Sequence, residues 1–192
     1  FVRLPWRIYQ NDPVWVPPLI RERLDFLNPK KNPFFEHAEV ELFTAYRNGT
    51  PVGRISAQVD RLHIELHKEK AGFFGFFESM DDPEVARVLL GTAEDWLKEK
   101  RMALVRGPFS FALKDEIGFV IQGYEHPPSI LTGHNPTYYS SLVEGHGYRK
   151  AKDWFCWWYD AEKPIAEGPL QIAEEVRKHP GLVIRELDPK NM

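Results

Sequence analysis

His63 and His67 stand four residues apart in Arg61-Leu62-His63-Ile64-Glu65-Leu66-His67. On a helix that spacing puts two imidazoles on one face, where they could share a zinc ion. The glutamate falls at the third position of the pentapeptide and not the second, so this is not the metalloprotease motif. His37, His126, His134 and His146 are scattered and mark no third ligand by spacing, so no metal site is predicted. Cys156, between Phe155 and Trp157, reads as a small apolar residue of a strand and not as a nucleophile. There is no serine elbow, no phosphate-binding Walker loop and no complete dinucleotide fingerprint, because Gly72 and Gly75 lie inside a strand-like run with no helix starting there. The chemistry must come from residues that the fold brings together.

The composition leaves room for such a fold. With 192 residues, 43% of them apolar, the chain can form a core without disulfides or metal. A net charge of −3 gives no overall attraction to nucleic acid or to an anionic membrane. The single cysteine excludes an intrachain disulfide and suits a reducing, cytoplasmic compartment. No apolar run reaches the roughly 18 to 20 residues of a membrane span. The opening Phe1-Val2-Arg3 reads as part of a longer protein.

Residues 1–27 read as two helical pieces, with Leu4, Ile8 and Tyr9 on one face, a break at Asn11-Asp12-Pro13, and a second piece opened by Pro17-Pro18. Residues 28–33 are a loop. Val40, Leu42, Thr44 and Tyr46 alternate, Asn48-Gly49 suits a tight turn, and Gly53, Ile55, Ala57 and Val59 return, which predicts a hairpin. A short helix over 62–68 precedes the most apolar segment, Ala71–Glu78, expected to be a central strand. A long helix follows, with Asp81 or Asp82 as cap, Glu84 completing a capping box with Asp81, and Val85, Val88, Leu89, Ala93, Trp96 and Leu97 on one stripe. Further strands are expected at 104–106, 129–132, 152–159 and 182–184, with helices from Asn135 and around Ile172. The order predicts an α/β (α+β) fold, a mixed, mostly antiparallel sheet flanked by helices. Residues 1–160 form one domain, and 161–192 a linker with the first elements of a second.

On these segments the chain resembles the GNAT acyltransferase superfamily. The hairpin ELFTAYRNGTPVGRISA looks like the family's second and third strands. AGFFGFFESM stands where its central fourth strand would be, Asp82 to Lys98 where the helix after the acyl-CoA loop would be, and Asn135 to Tyr148 looks like the late helix ending in a glycine-aromatic pair. The opening LPWRIYQNDPVWVPPL also resembles the start of a group of bacterial proteins about twice as long. The resemblance implies acetyl-CoA or a longer acyl-CoA as donor and an amine as acceptor. The pantetheine arm would be bonded by the backbone of Phe74, Gly75, Phe76 and Phe77, and backbone N–H groups near Phe76 would face the oxyanion. It implies partners as well, a small-molecule amine and a second domain of the same protein; the aromatic cluster at 154–159 leaves a homodimer open, and the net charge of −3 argues against nucleic acid.

Two departures set the expectations apart from a standard member. At the helix start, Met80-Asp81-Asp82-Pro83-Glu84-Val85 has no glycine and three carboxylates, which stabilise the helix but repel a diphosphate. Phosphate charge would have to be met by Arg87, Arg54 or Arg61. The position of the family's acid tyrosine, four residues before Gly147, is Val143, which transfers no proton. Tyr139, a turn upstream, is the candidate acid, although its inward face also suits the core; Glu78 is the candidate base, acting through a water. The alternative is a degenerate GNAT-like domain that scaffolds or regulates a second domain. The cluster Trp154, Phe155, Trp157, Trp158 and Tyr159 is open to three roles: packing under a second domain, a dimer face, or an acyl tunnel.

Overall fold

The computed structural model describes residues 1–190 apart from 158, 161, 184 and 189. Its described residues divide into two compact units, Phe1–Asp153 and a second beginning at Trp154. The first opens with α1 (Pro5–Ile8), α2 (Ile20–Phe26) and α3 (Phe34–His37). The hairpin β1 (Ala38–Arg47) and β2 (Thr50–Asp60) follows, then α4 (Arg61–His67), β3 (Ala71–Ser79), α5 (Pro83–Glu99), β4 (Leu104–Arg106) and α6 (Tyr139–Gly145). The strands are ordered β1-β2-β3-β4, with β1, β2 and β3 antiparallel and β3 parallel to β4. Because β3 and β4 are parallel, their link must cross a face of the sheet, and α5 makes that crossing. This is the mixed, mostly antiparallel sheet flanked by helices that the sequence leads one to expect.

The local reasons are chemical. Asn48 and Gly49 hold φ of +51° and +76°, the pair of positive angles that a two-residue hairpin turn requires. In α5 the N-cap is Asp82, whose side chain accepts the Glu84 N–H. No capping box with Asp81 forms; the Glu84 carboxylate instead pairs with Arg47, which also binds Asp82. Val85, Leu89, Leu90, Ala93 and Leu97 of α5 are buried on the sheet beside Ile55, Phe74 and Phe77, joined by Leu142 and Val143 of α6. The other face carries a second apolar cluster, Phe34, Ala38, Phe76 and Phe111, with Phe1 and Phe26 packed against it.

β3 is buried along its whole length but is not regular. Arg54 pairs with Glu78 and Ser56 with Gly75, so Phe76 and Phe77 together oppose Ile55. Phe76 takes φ +47°. This bulge shifts the side-chain alternation by one residue. Phe74 and Phe77 therefore share the α5 face, while Phe76 packs in the opposite cluster. Without it Glu78 would share Phe74's face under α5.

Four segments depart from expectation. Residues 129–132 form a turn, with Leu131 at φ +63°, and not a strand. The described residues of 152–159 are in no strand, and Cys156 is exposed; alternation of bulky groups could not supply a sheet edge for them to pair with. α3 forms where no element is predicted, directly after the loop at 28–33. In the second unit, α7 (Glu167–Lys178) ends ahead of Pro180-Gly181. Leu182 and Val183 are in no strand, and residue 184 of that expected strand lies outside the described residues. No helix among the described residues is long and apolar enough to cross a membrane.

Candidate functional site

β3 and β4 pair only over Ala71–Phe73 and Leu104–Arg106 and then separate. The strand edge beyond that point is not free. After Gly107-Pro108 the chain turns back on β3: the Phe109 N–H donates to the Phe74 carbonyl at 2.7 Å, and the Phe76 N–H is directed at Ser110 Oγ, 3.4 Å away. A Cβ at Gly75 would overlap the Phe109 carbonyl. At the strand's end the Ser79 N–H donates to Tyr139 Oη at 3.0 Å, and Tyr138 Oη donates to the Ser79 carbonyl at 2.9 Å. The expectation of an open edge for a pantetheine arm is therefore corrected: the strands separate, but residues 109–110 fill the gap beside Phe74, Gly75 and Phe76. Phe77 is buried under α5.

The start of α5, where phosphates would be expected, is likewise occupied by the chain's own groups. The start of α5 is capped by Asp82 and closed by the Arg47 pair. Of the three arginines expected to meet the phosphates, Arg54 is committed to Glu78 and Arg61 to the Glu36 carbonyl, while Arg87 is exposed on α5.

Glu78 and Tyr139 do meet. Glu78 is buried, and its Oε2 accepts from Tyr139 Oη at 2.7 Å and Tyr9 Oη at 2.8 Å; Oε1 accepts from Arg54 Nη2 at 3.2 Å. The bulge at Phe76 is what lets this β3 carboxylate reach both the residue that ends α1 and the head of α6. Burial pushes the Glu78 carboxyl above the ordinary carboxylate range, outweighing the Arg54 charge and the hydroxyl hydrogen bonds. Burial and the same carboxylate push Tyr9 and Tyr139 upward, so both hydroxyls stay protonated donors. Tyr138 is raised to about 12, again mainly by burial. The Arg54 guanidinium lies over the Phe1 ring at 5.0 Å and the Phe76 ring at 5.7 Å.

The cluster forms the floor of a cleft of about 250 Å³. Tyr9, Arg54, Glu78 and His134 are its least exposed polar walls, and Arg23 and Glu116 form an ion pair across it. Val16, Ile130 and Leu131, at 56, 92 and 62% exposure, make an apolar mouth. A smaller pocket of about 50 Å³ reaches toward Phe76 and Ser110 and shares Arg54, Glu78, Glu116 and His134 with it. His134 Nε2 sits 2.7 Å from Asp12 Oδ2. Burial works to raise the Asp12 carboxyl, but the His134 bond and the N–H groups of Val14 and Trp15 hold it below the usual range.

Sequence reasoning missed Tyr9, Asp12 and His134 as site residues. Tyr9 and His134 lie 125 positions apart, and a turn that does not belong to the sheet brings His134 in. The one local signal is Asn11-Asp12-Pro13, which reads only as a helix break. The His63 and His67 rings lie 4.5 Å apart, tilted by 36°, on α4, and among the described residues no third ligand joins them.

No family model matches the chain. It is 43% identical over 192 residues to a bacterial ceramide synthase of Caulobacter vibrioides, covering 98% of this chain and 49% of that protein. It is 36% identical over 179 residues to protein YghO of Escherichia coli K12, covering 93% of this chain and 46% of that protein. The chain thus spans about half the length of the curated relatives it matches. Among solved structures, an aminoglycoside acetyltransferase from an uncultured soil metagenomic sample, in complex with sisomicin, aligns over 83% of this chain and 84% of that one, with 10% identity and a TM-score of 0.46.

Proposed function

We propose that this chain is the acceptor-binding part of an N-acyltransferase that joins a long-chain amine to an acyl group delivered as a thioester, with acyl-CoA as the donor. The observation that carries this reading is a cleft polar at its floor and apolar at its mouth. An ammonium or hydroxyl head group finds the Glu78 carboxylate and the Glu116 carboxylate inside, and an alkyl chain finds Val16, Ile130 and Leu131 outside. The relative in Caulobacter vibrioides bears the name of an enzyme whose product, ceramide, is the amide of a long-chain amino alcohol. The amine nitrogen attacks the thioester carbonyl, and the C–S bond breaks. This chain's residues orient the amine; no step is assigned to a coenzyme A held along β3, because Phe109 and Ser110 fill that edge.

The test is to incubate the complete protein with a long-chain amino alcohol and an acyl-CoA and to look for the amide by mass spectrometry. Amide formation that Glu78→Ala abolishes supports the reading; wild-type protein that makes no amide with any thioester overturns it. The second reading, a GNAT-like scaffold for the rest of the protein, is favoured by the self-filled edge and the acidic start of α5. It predicts full activity in Glu78→Ala once folding is verified.

A further inference from the structure

Resting on the acyltransferase reading, we infer that His134, held by Asp12, is the proton acceptor for the attacking amine, and that Glu78 is its anchor. Glu78 is poorly placed to take a proton in a reaction cycle. Both tyrosine hydroxyls and the Arg54 guanidinium already bond its two oxygens, and it is buried. His134 has the opposite arrangement. Nε2 faces Asp12 Oδ2 at 2.7 Å, so the carboxylate fixes the tautomer with the proton on Nε2. Nδ1 is left with its lone pair; it accepts from no group among the described residues and is not sealed from solvent. Its residue lines both the large cleft and the smaller pocket beyond it.

The support behind the ring is built to hold one orientation. Asp12 Oδ1 accepts the N–H groups of Val14 and Trp15 at 3.0 and 3.2 Å, which leaves Oδ2 for the histidine. Tyr9 packs between Trp15, at 5.0 Å, and the His134 ring, at 5.4 Å, and its hydroxyl touches the His134 carbonyl at 3.2 Å. A nucleophile's base oriented by a third, anionic group is the general logic of activated nucleophiles. In the transfer, the amine nitrogen forms the C–N bond to the thioester carbon while its N–H proton passes to Nδ1. The C–S bond breaks with its electron pair on sulfur, and the proton on Nδ1 is handed to the departing thiolate, giving amide plus thiol with the histidine neutral again.

The charged and titratable groups around His134 are Asp12 and Tyr9 from the α1 turn, Arg54 of β2, Glu78 of β3, and the Arg23–Glu116 pair.

The experiment measures kcat, KM for the amine and the pH–rate profile of the complete protein with a long-chain amino alcohol and acyl-CoA. His134→Gln should lower kcat by about 10²- to 10⁴-fold with the amine KM little changed, and should abolish the acid limb. Asp12→Asn, the second variant should His134→Gln fail to fold, should lower kcat and displace the acid limb, since the anion that orients the ring is gone. An acid limb that stays in place in both variants overturns the inference even if kcat falls, because a merely structural role would lower activity without moving it. Active wild-type protein with an unchanged His134→Gln profile sinks this inference alone, whereas inactive wild-type protein sinks the acyltransferase reading with it.

Discussion

Replacing Gly75 with alanine puts a methyl group where the Phe109 carbonyl lies against β3. The Gly75 backbone is not in the left-handed region, so the substitution acts through space alone. Overpacking of this kind costs about 1–3 kcal/mol. Displacing Phe109 also loosens three bonds: the Phe109 N–H to the Phe74 carbonyl at 2.7 Å, Gln58 Nε2 to the Phe109 carbonyl at 2.6 Å, and the longer Phe76 to Ser110 contact. At about 1 kcal/mol for each good bond, the total loss is about 3–5 kcal/mol. In a protein of this size that is a fall in melting temperature of about 6–20 °C. The assay is urea unfolding with thermal melts, and amide exchange at Phe109 as the local probe. Stability within about 1 kcal/mol of wild type, with Phe109 still protected, would mean that residues 109–110 do not seal the strand. A thioester arm would then have room along β3 after all.

Arg54→Met removes the only cation on Glu78 among the described residues, and should destabilise the protein by about 3 kcal/mol at neutral pH. That cost should shrink in acid, where Glu78 takes up a proton; denaturant midpoints at two pH values check both parts. Tyr139→Phe leaves the Ser79 N–H without its partner and Glu78 with one donor fewer, for a loss of about 1–3 kcal/mol. A neutral substitution there would show that the tyrosine is held by packing alone. The Glu78 carboxyl is raised above its ordinary 4.5 in the folded protein. Its proton-linked stabilisation is complete below about that value and is lost as pH rises through the folded pKa. Urea midpoints of wild type measured against Glu78→Gln should decline with rising pH, and a difference that grows with pH contradicts burial as the cause.

Elements whose pattern is local were legible in the sequence. The Asn48-Gly49 turn, the apolar stripe of α5 and the aromatic β3 each follow from residue type and spacing within a few positions. The shift of face at Phe76 was not legible, because nothing in a phenylalanine side chain asks for φ +47°; the tertiary packing of Phe34 and Phe111 around it does. Strand-like composition misled at 129–132 and 152–159, where there was no neighbour to complete a ladder. Glu78 and Tyr139 could be singled out one at a time through the family resemblance, and the structure joins them. Asp12, Tyr9 and His134 come from a helix break, a helix end and a turn, and only the three-dimensional path of the chain makes them a set.

Ser79 commits both of its main-chain groups to adjacent tyrosines of a single helical turn, Tyr138 and Tyr139. The end of the central strand and the head of α6 are thereby clasped like a two-pronged plug in its socket. Withdrawing α6 would strip two main-chain bonds from the strand and one hydroxyl from Glu78 in the same motion. Any displacement of that helix would therefore change the polarity at the bottom of the cleft.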